Sequence, residues 1–169
     1  MRRVLIWIVV LAAAGAAIWV TQIRPVERRL KVYFVGPVDG VQTLVEVERT
    51  VQGRHPDALL RGAVEALLLG PTPEERGKGL TTEIPSGAVL RSLVVRDGIA
   101  FIDVSAAIAS GGGSTSMQAR LWQIVYTGTQ LPAAPLARLL IEGQERQALG
   151  GEGMIIEKPI SRPPAFPRF

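Results

Sequence analysis

From Val4 to Val20 the chain runs for 17 consecutive residues without a charge, all of them apolar apart from Gly15. No other feature narrows the possible structures so much. A helix over this run is roughly 26 Å long, and continuing it to Ile23 gives about 30 Å, the thickness of a bilayer's hydrocarbon core. Trp7 and Trp19 stand near its two ends, where amphipathic rings favour the headgroup zone. The expectation is a single signal-anchor helix, with residues 1–29 forming the membrane anchor and its basic flank. A cleaved signal peptide is the alternative, because Ala12–Ala17 offers small residues to a peptidase. Against cleavage, Ile18, Trp19 and Val20 carry the apolar run past that stretch.

Charge follows the same division. Residues 1–31 hold six basic groups (Arg2, Arg3, Arg24, Arg28, Arg29 and Lys31) against Glu27, a net of +5. Residues 32–169 hold 13 basic and 14 acidic groups, so the overall +4 belongs wholly to the leader. Only Trp122 of the three tryptophans lies outside that leader. A neutral body with one tryptophan offers neither the basic face nor the stacking platform of a nucleic-acid binder. Orientation is not fixed by charge: Arg2 and Arg3 favour an inside N-terminus, while Arg24, Arg28, Arg29 and Lys31 pull the other way.

Beyond the leader about 139 of the 169 residues remain, enough for one domain and too few for two. The chain has no cysteine and one histidine, His55. That removes disulfides, thiolate chemistry, a lipid-modified cysteine and any multi-histidine metal site.

Lys31–Gly36 is a short apolar run closed by Gly36-Pro37 and Asp39-Gly40, and residues 44–51 then alternate with period two. Val45, Val47 and Arg49 share one face, and Leu44, Glu46 and Glu48 the other, which predicts a hairpin with one wet face. Leu59, Leu60, Ala63, Val64, Leu67 and Leu68 repeat as one stripe of a helix. Asp57 is its expected N-cap, and Gly70-Pro71 its stop. Pro73-Glu74-Glu75-Arg76 suits a second short helical turn. Asp97-Gly98 between two apolar runs, 89–95 and 99–104, is the strongest hairpin signal. Met117, Leu121, Ile124, Val125 and Gly128 mark another helix, Leu136–Ile141 a strand, and Glu142-Gly143-Gln144 a turn. Four prolines from Pro159 onward make the tail, residues 161–169, extended or frayed. The β-β-α-β-β-α-β order implies an α+β fold, a mainly antiparallel sheet with two helices on one face.

Three sets of residues invite a chemical reading. Gly111, Gly112, Gly113, Ser114, Thr115 and Ser116 precede a helix, where bare N–H groups suit an anion. The lysine of a Walker A loop is missing, and the plainer reading is a mobile loop ending in a serine N-cap at Ser114 or Ser116. Asp103, Ser105 and His55 supply the residue types of a nucleophilic triad, but no G-x-S-x-G surrounds Ser105. Asp103 fits better as a strand-end residue bonding nearby backbone N–H groups. Glu46 with Glu48, and Glu74 with Glu75, are adjacent carboxylates sharing one environment, unlike an acid–base pair. No enzyme, metal or cofactor is expected from these sets.

The run Leu68-Leu69-Gly70-Pro71-Thr72-Pro73-Glu74-Glu75, followed by Thr82-Glu83-Ile84-Pro85-Ser86-Gly87, resembles the start of the GerMN domain, the sporulation and spore germination family. The resemblance continues through Asp97-Gly98-Ile99-Ala100, Ile102-Asp103-Val104-Ser105, the Gly111–Ser116 loop and residues 123–130. It closes with Ile141-Glu142-Gly143 and residues 149–153, so residues 30–160 are expected to form a GerMN-like domain. The resemblance implies a bacterial cell-envelope protein on the outer side of the cytoplasmic membrane, with a fold similar to ring-building motifs. It brings no catalytic residues. A peptide anchor here replaces the lipidated cysteine of lipoprotein members, and one domain stands where some relatives have two. The expected function is a non-enzymatic, membrane-anchored interaction module in envelope or sporulation-like assembly, binding an envelope protein or a second copy of itself through a sheet edge or helix face. A domain that binds or processes peptidoglycan is the alternative.

Overall fold

The computed structural model describes residues 26–150 and 154–169. The expected anchor, Val4–Ile23, lies outside the described residues. Among those described, no helix is long and apolar enough to cross a membrane.

The chain enters through a hairpin of two 12-residue strands, β1 (Glu27–Val38) and β2 (Val41–Gln52). Both are longer than the sequence pattern indicated, because pairing in register continues to Glu27↔Gln52 past the last apolar residues. Helix α1 (Pro56–Leu68) and the short α2 (Pro73–Gly77) follow. A second hairpin joins β3 (Leu90–Arg96) to β4 (Ile99–Val104). A 3-10 turn at Ala106–Ala109 leads to helix α3 (Ser114–Gly128) and then β5 (Leu136–Ile141). Four two-residue strands complete the order: β6 (Gln144–Glu145), β7 (Ala148–Leu149), β8 (Met154–Ile155) and β9 (Ile160–Ser161).

The expected α+β order is present, but the strands do not make one sheet. Among the described strands β1 and β2 pair only with each other, β3-β4-β5-β6 form a second sheet that β9 joins through β5, and β7-β8 form a third. β4 and β5 are parallel, since α3 is a crossover between them and carries the chain back to the starting end. The remaining pairs are antiparallel. Helices α1 and α3 touch each other and both touch β1, while α1 also lies on β3 and α3 on β5. The helix pair therefore bridges the hairpin and the larger sheet. Its main core joins Val32 and Phe34 of β1, Leu60, Val64 and Leu67 of α1, Ile102 of β4, and Leu121 and Ile124 of α3.

Turn chemistry follows the sequence closely. Asp39-Gly40, Asp97-Gly98 and Glu142-Gly143 all have positive φ at both residues, the requirement of a two-residue turn matched to strand twist. Helix caps follow it less well. His55, not Asp57, is the N-cap of α1, because Pro56 occupies the first helical position and holds the preceding residue extended (φ −102°, ψ 153°). Asp57 sits instead in the first turn, where its charge complements the helix dipole. The N-cap of α3 is Gly113, with no side-chain bond, so the expected serine cap at Ser114 or Ser116 is absent. Thr72 caps α2 in a reciprocal box with Glu75.

Candidate functional site

The glycine loop is organised from the inside. Two consecutive left-handed residues, Gly111 (φ +63°) and Gly112 (φ +78°), turn its carbonyls toward Arg120 of α3, which is almost wholly buried. The guanidinium donates to the carbonyls of Glu83 (2.9 Å), Ile108 and Ser110 (3.1 Å), to Gly111 O at 3.4 Å and to Ser116 Oγ at 3.3 Å. Ser116 in turn donates to the Glu83 carboxylate at 2.5 Å. Burial lowers the pKa of Arg120 from its ordinary value, and the nearby Glu83 charge offsets part of that. Gly111, Gly112, Ser116 and residue 110 thus wrap a resident cation, while Ser114 and Thr115 open the helix beyond it. A Cβ at Gly112 would lie 2.5 Å from Ser116 Oγ and 3.2 Å from Arg120 Nη2, so glycine is needed for close approach as well as for φ. Beside the loop, a cleft of about 220 Å³ is lined by Val35, Glu83, Thr115, Ser116, Ala119 and Phe169, among others.

Arg120 is the first of a polar series on α3 that the sequence reading passed over. Gln123 and Thr127 follow at spacings of three and four on one helical face, and Gln130 comes two residues past the helix end. All three are spent on the outer edge of β1. Gln130 accepts from Lys31 N–H (2.7 Å) and donates to Lys31 O (2.8 Å). Thr127 Oγ1 accepts from Tyr33 N–H (3.3 Å), and Gln123 donates to Tyr33 O (3.0 Å). Thr81 completes the series by exchanging backbone bonds with Val35 (2.9 and 2.7 Å). Side chains of a helix thus stand where a neighbouring strand would be. Gln123 Oε1 also accepts from Glu83 N–H at 2.9 Å, tying β1, the 82–84 segment and α3 together. Polar residues at 3-4 spacing within an apolar helix, continued by Gln130 just past its end, were the available signal.

The other edge of the hairpin is open. Lys31, Tyr33 and Val35 bond outward, so their partners Glu48, Glu46 and Leu44 on β2 also direct their backbone groups outward. Among the described residues that edge meets another backbone segment only at its start, where Arg168 bridges Thr43 and Phe169 N–H donates to Gln42 O at 2.9 Å, and farther along it Glu48 O accepts from the Arg49 side chain at 3.1 Å. The wet face expected at Leu44, Glu46 and Glu48 is wet only in part: Lys31–Glu46 (2.8 Å) and Arg29–Glu48 (3.6 Å) lie in solvent, but Leu44 is buried with Tyr33 and Tyr126 under Phe169. The tail is extended and docked, not frayed.

The structure does not assemble the triad residue types. Asp103 accepts from Gly143 N–H (2.7 Å) and faces Arg91 (3.4 Å). Its backbone partner is 40 residues away, not near in sequence as expected. Ser105 Oγ accepts from Val89 N–H at 3.0 Å, and the exposed His55 is the N-cap of α1, with no side-chain cap bond. The paired glutamates each meet a cation: Glu74 meets Lys78 (2.6 Å), and Glu75 takes Arg49 through both oxygens (2.7 and 2.6 Å). The Arg49 guanidinium, with Thr72 N–H, holds the Glu75 carboxyl at about 2, well below the carboxylate range, against the opposing effect of its burial. Among the described residues no three acidic or histidine side chains converge as a metal site does.

Taken together these features define a small α+β domain whose polar side chains are committed to tying its elements together and whose hairpin presents one free strand edge. The family model described as Germane, sporulation and spore germination, matches residues 31–147. The chain belongs to that family, as its motifs led one to expect. No curated protein sequence matches it. Three solved structures are similar. A candidate lipoprotein from Clostridium perfringens is 27% identical, with a TM-score of 0.59, covering 83% of this chain and 89% of that one. The tandem GerMN domains of the sporulation protein GerM from Bacillus subtilis are 22% identical (TM-score 0.64), covering 81% of this chain and 46% of the tandem chain. The first GerMN domain of that protein is 19% identical (TM-score 0.60), covering 80% and 98%. The two Bacillus subtilis structures share the fold with this chain.

Proposed function

We propose that this chain is a single-pass, membrane-anchored interaction module of the cell envelope, with the apolar run Val4–Ile23 as anchor and the domain, which already includes Glu27–Arg29 as the start of β1, on the outer side, recruiting an envelope protein by adding a strand to β2. The open β2 edge from Leu44 to Thr50 carries this reading. Main-chain pairing along such an edge supplies affinity with no catalytic group. The opposite edge of the hairpin is closed by α3, so the hairpin has one direction in which to grow. Membership of a sporulation and spore germination family and the likeness to a candidate lipoprotein support an envelope location. The 17-residue apolar run supports the anchor. Binding, not turnover, is the activity this arrangement favours, since Asp103 and Ser105 are engaged by backbone N–H groups and His55 sits apart from them at the start of α1.

The test uses proline as a selective edge block. Glu48→Pro removes one outward N–H and leaves the ladder to β1 intact, whereas Val47→Pro removes a ladder bond. A photo-crosslinking residue at Glu46 in intact cells should capture an envelope protein, and Glu48→Pro should abolish that capture while the domain stays folded. Undiminished capture by Glu48→Pro would exclude the edge. Release of fragments from peptidoglycan by the purified protein, lost in Ser105→Ala or His55→Ala, would replace binding with wall processing. A reporter active only outside the cytoplasm, fused after Phe169, tests the orientation.

A further inference from the structure

The geometry points to a second binding site, a groove for extended proline-rich peptide between β1, the start of β2 and α3, occupied here by the chain's own residues 162–169. Its floor is the ring pair Tyr33 and Tyr126, with centroids 5.3 Å apart. Phe166 packs on both rings at 5.9 and 5.1 Å, and the Arg162 guanidinium lies 5.4 and 5.2 Å from the same two centroids. Tyr126 OH is 3.1 Å from both the Pro163 and Ala165 carbonyls, and Thr43 Oγ1 donates to Pro167 O at 2.8 Å. Arg162 Nε donates to Thr129 Oγ1 at 2.9 Å, and Arg162 also donates to Tyr126 O.

The ligand class follows from which atoms are used. From residue 163 to 167 the groove meets carbonyl oxygens through hydroxyl donors, positions 163 and 165 sharing the single Tyr126 O–H and position 167 taking Thr43 Oγ1. No N–H is required there, and Pro163, Pro164 and Pro167 have none to offer. Aromatic rings combined with donors to carbonyls are how folded domains read polyproline-type segments, whose conformation is largely set before binding. Arg162 and Phe166 give polarity to the recognition, a cation over the rings at one end and an aromatic four residues later. The resident segment is lightly held: none of residues 157–169 is buried, and β9 before it pairs over two residues only. Segments with little burial open at low free energy. A cleft of about 420 Å³ beside Ala165 and Phe166, lined also by Val38 and Val41, leaves room along its flank. The occupant in trans is a proline-rich segment of a partner protein with arginine first and phenylalanine fifth, and the chain's own segment is its competitor.

The probe is a labelled peptide of this chain's residues 162–169, Arg-Pro-Pro-Ala-Phe-Pro-Arg-Phe. Fluorescence anisotropy with the full chain in detergent should show at least tenfold tighter binding to a form lacking 162–169 than to the intact one. A peptide with alanine at its phenylalanine position should bind about tenfold more weakly. Should the shortened form fail to fold, the full-length double variant Arg162→Ala, Phe166→Ala loosens the resident segment and should gain peptide affinity over wild type. Equal binding to intact and opened forms, or equal binding of a scrambled peptide, overturns the site. Concentration-dependent dimers of the intact chain that vanish without 162–169 would make a second copy the occupant and overturn the partner assignment.

Discussion

Helices α1 and α3 share one core and are held in it by different forces. α1 has a single apolar stripe, and Leu60, Ala63, Val64 and Leu67 on it are fully buried. α3 is buried more nearly all round, and its concealed residues include Arg120, Gln123 and Thr127. Apolar contact is non-directional, so α1 is positioned by shape and volume. Buried amides and hydroxyls are directional and costly when unmatched, so α3 is fixed in register against β1, the 82–84 segment and the glycine loop. The first kind of packing tolerates exchange among apolar residues of similar size. The second specifies individual atoms, and it is the second that closes one edge of the hairpin and leaves the other for a partner.

Substitution should separate the two helices. Leu67→Ala in α1 should lower stability by about 2–5 kcal/mol, while Leu67→Met should cost less than about 1.5 kcal/mol. Gln123→Met in α3 conserves size too, yet should cost about 2–3 kcal/mol because Tyr33 O and Glu83 N–H lose their partners. Urea titration of all three variants checks the contrast, and equal losses for the two methionine variants would erase it. The helix N-termini offer a finer comparison. Gly112→Val before α3 forces a β-branched residue into positive φ against Ser116 and Arg120, with an expected cost of about 1–3 kcal/mol. Weaker folding by thermal melt, with loss of Arg120 side-chain protection, is the expected readout.

A pH titration sharpens the contrast between committed and spare charges. Glu75 has a folded pKa of about 2 against 4.5 for the free group. Because the folded value is the lower one, its stabilisation is complete above about pH 4.5 and is lost as the pH falls toward 2. Glu75→Gln should therefore flatten the acid limb of stability in that window and leave the neutral-to-alkaline side parallel to wild type. An unchanged acid limb would mean that the Arg49 pair does not persist in solution. The smallest effect belongs to the N-terminus of α1, where His55 makes no side-chain cap bond. His55→Ala should stay within about 0.5 kcal/mol of wild type and keep full function in a complementation assay.

Much of this domain was legible in the chain because the deciding physics is local. The Asp97-Gly98 turn, the stripe of α1, its stop at Gly70 and strand Leu136–Ile141 depend on residues within a turn or two of one another, and sequence patterning reports such contacts directly. The strand order did not follow from pattern: hairpins suggested one mainly antiparallel sheet, whereas the strands divide among three sheets and α3 as a crossover sets β5 parallel to β4 and fills the edge of β1 with side chains. The glycine loop shows the same division. Its glycines announced a special backbone, but whether its polar groups faced outward to an anion or inward to a cation depended on Arg120, brought in by the helix that follows. The tail could be read as extended from its prolines, yet its docking needed Tyr33 and Tyr126, residues from two different elements. Sequence by itself determined where the chain turns, which helix face is apolar and where an apolar run is long enough for a bilayer. Tertiary structure alone decided which backbone edge stayed free, because a polar group's partner in a folded chain is chosen by proximity in space and not by distance along the chain.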